Sequence, residues 1–433
     1  MHNRRRIDAP AGAFANDALA APVVLLATTC HLPSTARLAM ELEWAGAVVA
    51  AVCPADHPMR RTGALSRQFA YSAIRPVEAL RMAIERAAPT LIIPCDERAV
   101  RHLHQLHTGE SRSRSDLGSD HVRVRALIEN SLGPASSFRV AERRHELLTL
   151  ARRAGVRVPE TRLIDGLDDL RGWHTEQTLP WVLKADGSWA GLGVRIVSTL
   201  AEAETAYLEL SRPVSGMLAM REMILERDLF WLHPWLKRVR PVVSVQRYID
   251  GRPANCGVAC WQGEILAGTY VEVVTAESRT GSSNVVRVID NEEMRQAATR
   301  VVSRLGMTGL VGFDFMIEEA SGAAYLIEMN PRNTPICALR LGPGRDLIEA
   351  LLARASSRVE RARPPVTEND TIVFFPQTWQ LDPGSEFLRT AYHDVPWEEP
   401  ELLRVLVRPE LRDRYWFTRR MRPLWQKVRS GRA

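Results

Sequence analysis

The chain has 433 residues, of which 45% are hydrophobic and 25% charged, and a formal charge of +6. That is enough apolar material for two or three domains, and it excludes a disordered chain. Arg412–Ala433 holds eight Lys or Arg against one Asp, so the remainder is near neutral, a global nucleic-acid-binding surface is disfavoured, and any electrostatic partner is expected at the C-terminus.

No uninterrupted apolar run reaches the ~18–20 residues of a membrane-spanning helix. The cysteines Cys30, Cys53, Cys95, Cys256, Cys260 and Cys337 lack the paired spacing of a zinc site or a disulfide framework. A reducing cytoplasm is the expected compartment. Arg4-Arg5-Arg6 and the Ala-rich stretch after it imitate a signal peptide, but Asn16, Asp17 and Pro22 interrupt the pattern, so residues 1–20 read as a loose leader.

From residue 22 to 105 strand and helix alternate. PVVLLATT, AVVAAVCP, QFAYSAI and TLIIPCDE read as strands, with helices through Ala36–Trp44 and from Pro76 to Ala87. The pattern predicts a small open α/β sheet with buried parallel strands. Asp96 and Glu97 close the last strand, either as ligand groups or as caps of the next helix. Gly109–Asp120 reads as a mobile loop.

At Arg143 a helix begins, RRHELLTLARRAG, closed by Gly155 and followed by the extended VRVPET. A strand carrying Lys184 comes next, then a glycine-rich loop from Gly187 through Gly191 to Gly193, then a returning strand, VRIVST. Glycines let backbone N–H groups approach phosphate oxygens, and Lys184 supplies a matching cation; a plain flexible hairpin is the alternative. Dinucleotide-binding and P-loop patterns are excluded because each requires a helix after the loop.

Leu200–Leu210 reads as a helix, and Met217–Arg240 as a Trp-rich, partly basic helical excursion that serves as core, interface or membrane-contacting face. Three strands follow, with turns at Asp250-Gly251 and Gln262-Gly263. Thr275–Asn284 reads as a flexible loop and Glu292–Leu305 as a helix. Phe313–Glu318 and Ala324–Glu328 then form a hairpin turned at Ser321-Gly322, and a further helix follows Gly342–Gly344.

Asp314, Glu328 and Asn330 make a hard oxygen-ligand set suited to Mg2+, or Mn2+, held through phosphate and water, and Arg332 adds a fork for an anion. The alternative is a hairpin with solvated acids. Against it, YLIEMNP sets Glu328 directly after apolar residues, where an unpaired charge is costly and a metal relieves the cost.

The lysine strand, the glycine loop, VQRYIDG and the D…E-M-N-P-R hairpin, in this order, resemble the ATP-grasp superfamily in the branch of carbamoyl-phosphate synthetase and biotin carboxylase. The resemblance spans residues 22 to about 350 and implies an ATP-grasp fold, two α+β subdomains clasping ATP, behind a small open parallel-sheet α/β domain. It places the pre-ATP-grasp domain at 21–140, the ATP-grasp domain at 141–355 and a C-terminal extension at 356–433.

The resemblance also implies roles. Lys184 and the loop glycines would hold phosphates, and Gln246, Arg247, Tyr248 and Ile249 the adenine. Gln246 stands where relatives have an acid, with Asn255 able to assist at the ribose. Arg144 takes the place of a second ATP-binding lysine, though a guanidinium lacks the compact ammonium geometry. Asp314, Glu328 and Asn330 would hold metal, and Arg332 would steady a reacting acyl phosphate.

The implied chemistry is ATP-dependent activation of a small-molecule carboxylate and its coupling to an amine. The alternatives are a carboxylase or kinase on the same site, or an inactive nucleotide-binding regulator. In the tail, Tyr415, Trp416, Phe417 and Trp425 are interleaved with cations, which allows docking on the body or peripheral contact with an anionic membrane at the inner surface.

Overall fold

The computed structural model describes residues 21–109, 119–186, 193–225, 231–277 and 281–407. Residues 1–20, most of the 109–120 loop, Gly187, Gly191 and the basic aromatic tail therefore lie outside the described residues.

The first unit runs β1 (Val23–Ala27), α1 (Ser34–Trp44), β2 (Val48–Cys53), β3 (Leu65–Ala70), α2 (Pro76–Ala87), β4 (Leu91–Pro94) and α3 (Glu97–Thr108). Its sheet is wholly parallel in the order β3-β2-β1-β4. β1 and β4 are apolar on both faces because helices cover both. The third strand differs from the sequence expectation: it starts at Leu65 and ends at Ala70, where its register with Cys53 runs out, so Tyr71 to Ile74 are not strand. α4 (Ser119–Leu132) and α5 (Phe138–Glu142) then lead to α6 (Arg144–Arg153).

The second unit is an antiparallel four-stranded sheet in the order β5-β8-β6-β7. It contains β5 (Thr161–Ile164), α7 (Leu167–Glu176), β6 (Trp181–Ala185), β7 (Val194–Val197), α8 (Leu200–Leu210), α9 (Gly216–Leu225), α10 (Leu232–Leu236) and β8 (Val243–Arg247). β6 and β7 pair antiparallel across the glycine loop, whose base is closed by the Ala185 N–H donating to the Gly193 carbonyl at 2.9 Å.

The third unit begins with β9 (Gly251–Trp261), β10 (Glu264–Ala276), β11 (Ser283–Val288), α11 (Glu292–Leu305), β12 (Gly309–Glu318), β13 (Ala324–Asn330) and α12 (Leu347–Ala355). It ends with β14 (Thr371–Phe374), α13 (Gln377–Leu381), α14 (Phe387–Thr390), β15 (Tyr392–Asp394) and α15 (Pro400–Leu406). Its seven strands lie in the order β13-β12-β9-β10-β11-β14-β15. The loop expected through Asn284 is shorter than its sequence indicated, because Ser283 and Asn284 already belong to β11, paired on β10. Cys256 and Cys260 sit in the core of β9.

The C-terminal segment folds back over the first unit. Leu38 and Leu42 of α1 share one core with Leu347 and Leu351 of α12 and with Leu402 and Leu406 of α15. Arg37 pairs with Asp394 at 2.6 Å, and Glu399 accepts from Thr62 Oγ1 and the Gly63 N–H at 2.8 and 2.9 Å.

Glu349 on α12 is fully buried, where a lone carboxylate would be untenable. The Arg358 and Arg361 guanidinia and the Arg361 N–H answer it. Burial pushes this carboxyl up, but the hydrogen bonds from Arg358 and Arg361 outweigh it and hold the pKa near about 2.

The folded pKa lies below the ordinary 4.5, so this stabilisation is full above pH 4.5 and is lost as pH falls toward about 2. Glu349→Ala is expected to cost about 3 kcal/mol at pH 7. Urea denaturation should show the gap between wild type and variant closing as pH falls below 4.5; a constant gap would contradict the assignment.

Candidate active site

Asn255, Asp314 and Glu328 lie in one row across three neighbouring strands. Asp314 on β12 is registered against Glu328 on β13 and Asn255 on β9. Directly opposed residues share a sheet face. The alternation that turns Asp314 toward this face sends Phe313 and Phe315 into the core on the other. Asn255 Nδ2 donates to Asp314 Oδ1 at 2.6 Å, and Asn330 Nδ2 donates to Asp314 Oδ2 at 3.2 Å. Burial first, and then Glu328, push Asp314 up to about 6 against those hydrogen bonds.

Glu328 is compensated differently. Arg144, the first residue of α6, donates to it at 2.7 Å and reaches Asp186 at 3.5 Å. A cation at a helix N-terminus opposes the helix dipole, so these carboxylates are what hold it there. Burial raises Glu328, but Arg144 and then Lys184 outweigh it and leave the carboxyl below its ordinary value. Lys184 is buried on β6, where burial and then Arg144 lower it to about 7 against the pull of Glu328, Asp314 and Asp186. An anion arriving beside it would favour the charged ammonium.

Arg332 lies beyond the row. It donates to Glu97 through Nε at 2.7 Å and Nη2 at 2.5 Å, to the Asn333 carbonyl at 2.9 Å and to Asn330 Oδ1 at 3.3 Å. The segment that carries it packs closely on β12: a Cβ on Gly312 would lie 2.4 Å from Thr334 Cγ2. The Asn333 N–H donates to the Pro94 carbonyl at 2.9 Å, docking this segment on the end of β4.

Asp96 is a cap and a staple. One carboxylate accepts from the Ala99 N–H, Thr28 Oγ1, the Thr29 N–H and Thr29 Oγ1 at 2.6–3.0 Å. It therefore fixes the loop after β1 to the start of α3, next to Glu97.

The residues expected at the adenine are placed as follows. Gln246 is buried with Nε2 on Thr161 Oγ1 at 3.0 Å, and Ile249 is buried. Arg247 points across to the third unit, donating to Tyr325 Oη at 3.2 Å and lying over its ring. Tyr248 joins Pro180 through its N–H at 3.3 Å. Asn255 lies against Asp314, in the row with Glu328. Asp186, which reaches Arg144, is not singled out by the sequence, and Glu97, read there as a ligand group or a cap, pairs with Arg332. Their signals were the carboxylate two residues after Lys184 and the acid at the end of β4.

Among the described residues no group of three or more His, Cys, Asp or Glu could hold a metal alone. Two half-buried carboxylates, one with a raised pKa, plus an amide, still fit a hard divalent cation whose remaining ligands are phosphate and water.

Two α+β units that meet across Arg144, Lys184 and the Asp314–Glu328 pair are the arrangement that this geometry defines. A family model described as an ATP-grasp domain matches residues 152–335, which identifies that stretch as an ATP-grasp domain. No curated protein matches the sequence.

Among solved structures, an L-amino acid ligase from Bacillus licheniformis is 14% identical with a TM-score of 0.53, over 79% of this chain and 77% of that one. An N5-carboxyaminoimidazole synthetase from Staphylococcus aureus complexed with ADP is 13% identical, TM-score 0.52, over 78% of each chain. A biotin carboxylase complex from Campylobacter jejuni is 18% identical, TM-score 0.52, over 80% of this chain and 73% of that one. At these identities the likeness is one of fold.

Asp96→Ala removes a helix cap and three further hydrogen bonds, and is expected to cost about 2–4 kcal/mol by urea denaturation. A loss below about 0.5 kcal/mol would show that the carboxylate is not the staple.

Proposed function

We propose that the chain is an ATP-dependent carboxylate–amine ligase that uses Mg2+ or Mn2+ and activates a small-molecule carboxylate as an acyl phosphate. The observation that carries this reading is the half-buried row Asn255–Asp314–Glu328 set against buried Lys184 and against Arg144, with the Arg332 fork beside it. The ligase and synthetase among the fold neighbours support it.

Asp314, Glu328 and Asn330 would hold the divalent cation, with Asn255 fixing the orientation of Asp314. When bound, the cation neutralises charge developing on the phosphoryl oxygens. Lys184 gives a charge-assisted hydrogen bond to phosphate, and Arg144 adds a second cation on the same side. Gly193, whose carbonyl accepts from the Ala185 N–H, closes the base of the glycine loop. Arg332 offers a planar fork to the reacting carboxylate, which would compete with Glu97 for the Nε and Nη2 face. These groups position and screen, and the effect on rate comes from charge arranged before the reaction.

Incubation with ATP, Mg2+ and pooled carboxylates and amines, followed by mass spectrometry, should yield ADP and a condensed product. A phosphorylated product formed without any amine would make the chain a kinase. Glu328→Gln and Asn330→Ala should each lower turnover at least about 100-fold with the fold retained. Normal turnover in both variants would make the hairpin structural. Lys184→Ala should weaken ATP binding by about 1.5–3 kcal/mol in calorimetry and leave adenosine unchanged. An equal loss for both ligands would remove Lys184 from the phosphates.

A further inference from the structure

Between α8 and β8 the chain leaves the four-stranded sheet as α9 and α10 and returns through Lys237–Val242. The Trp235 indole lies against Gly216, where a Cβ would be 2.9 Å from Nε1. This contact sets α10 beside the start of α9. Arg238 adopts a left-handed φ of 48°, and the Val239 N–H donates to the Pro234 carbonyl at 3.0 Å, turning the chain out of α10.

Trp235 to Arg240 are consecutively exposed, with apolar and cationic side chains interleaved as Trp-Leu-Lys-Arg-Val-Arg. Met217 is 75% and Leu236 70% exposed, and Val239 and Val242 are about half exposed. Trp231 to Val242 contains no acidic residue. Large aliphatic side chains held in water beside cations mark a binding face.

We propose that this face is a peripheral docking surface for an anionic lipid bilayer. Met217, Leu236 and Val239 enter the interface, and Lys237, Arg238 and Arg240 meet acidic headgroups. A second copy of this chain across a two-fold axis would set the same three cations against themselves. A nucleic acid would take the cations but leave Leu236 and Met217 in water, since aliphatic side chains do not stack on bases. An acidic protein would need a pocket for each protruding side chain, whereas a bilayer accepts them at any spacing. The inference is independent of the catalytic reading. It also has a bearing on the clasp, because the Asp186 N–H donates to the Val242 carbonyl at 2.9 Å, joining this surface to the base of the glycine loop.

Co-sedimentation of the full chain with phosphatidylcholine vesicles, with and without about 30% phosphatidylglycerol at low salt, tests it. Wild type should pellet only with the anionic vesicles and be released by salt. Met217→Glu with Leu236→Glu, and separately Lys237→Gln with Arg240→Gln, should each lower partitioning at least about tenfold with the melting temperature unchanged. The inference fails if wild type does not pellet, or if both double variants pellet like wild type and the binding belongs elsewhere on the chain. It also fails if the patch variants abolish self-association of the free protein, or if wild type binds a single-stranded oligonucleotide and not vesicles.

Discussion

Two half-buried carboxylates side by side on adjacent strands are the constraint on which the site depends. Asp314 and Glu328 are registered opposite one another, so each disfavours the other's ionisation, and burial strengthens the effect. The fold answers one of them with Arg144 and leaves the other leaning on two amides. Nothing in a stability argument requires that arrangement. An apolar pair at these positions would be at least as stable. A half-buried carboxylate that is only partly compensated is what the proposed cation would complete.

The same constraint accounts for how the three units meet. Arg144 must come from outside the hairpin's sheet, and α6 supplies it from between the first unit and the four-stranded sheet. Lys184 and Asp186 come from that sheet. Glu97 comes from the first unit, where Asp96 fixes the start of α3 and so the position of its neighbour. The chain from α12 onward then closes over the first unit through shared leucines and through the ion pairs Arg37–Asp394 and Glu41–Arg363.

The parts of the site that were legible in the sequence were those where pattern and chemistry coincide. Asp314 alternates with Phe313 and Phe315, and Glu328 follows an apolar run, so both their strand positions and their oddity could be read. Lys184 before glycines was legible for the same reason. Partnership was not. That Asn255 would serve Asp314 rather than stand apart is a matter of register between β9 and β12, which local sequence does not encode. Arg247 crosses to Tyr325 for reasons of tertiary packing. The start of β3 and the reach of β11 were missed because both are short and set by their partners, not by their own residues.

The central claim is that the Asp314–Glu328 row is a cation site facing bound nucleotide phosphates. Diffraction from crystals grown with Mn2+ and a non-hydrolysable ATP analogue tests it most directly, since Mn2+ is located by its anomalous signal. The account predicts a peak within about 2.0–2.3 Å of oxygens from both carboxylates, with phosphate completing the shell and Lys184 on the phosphates. Nucleotide bound with the peak elsewhere, or with Arg144 still bridging Glu328 and no metal between the carboxylates, would contradict it.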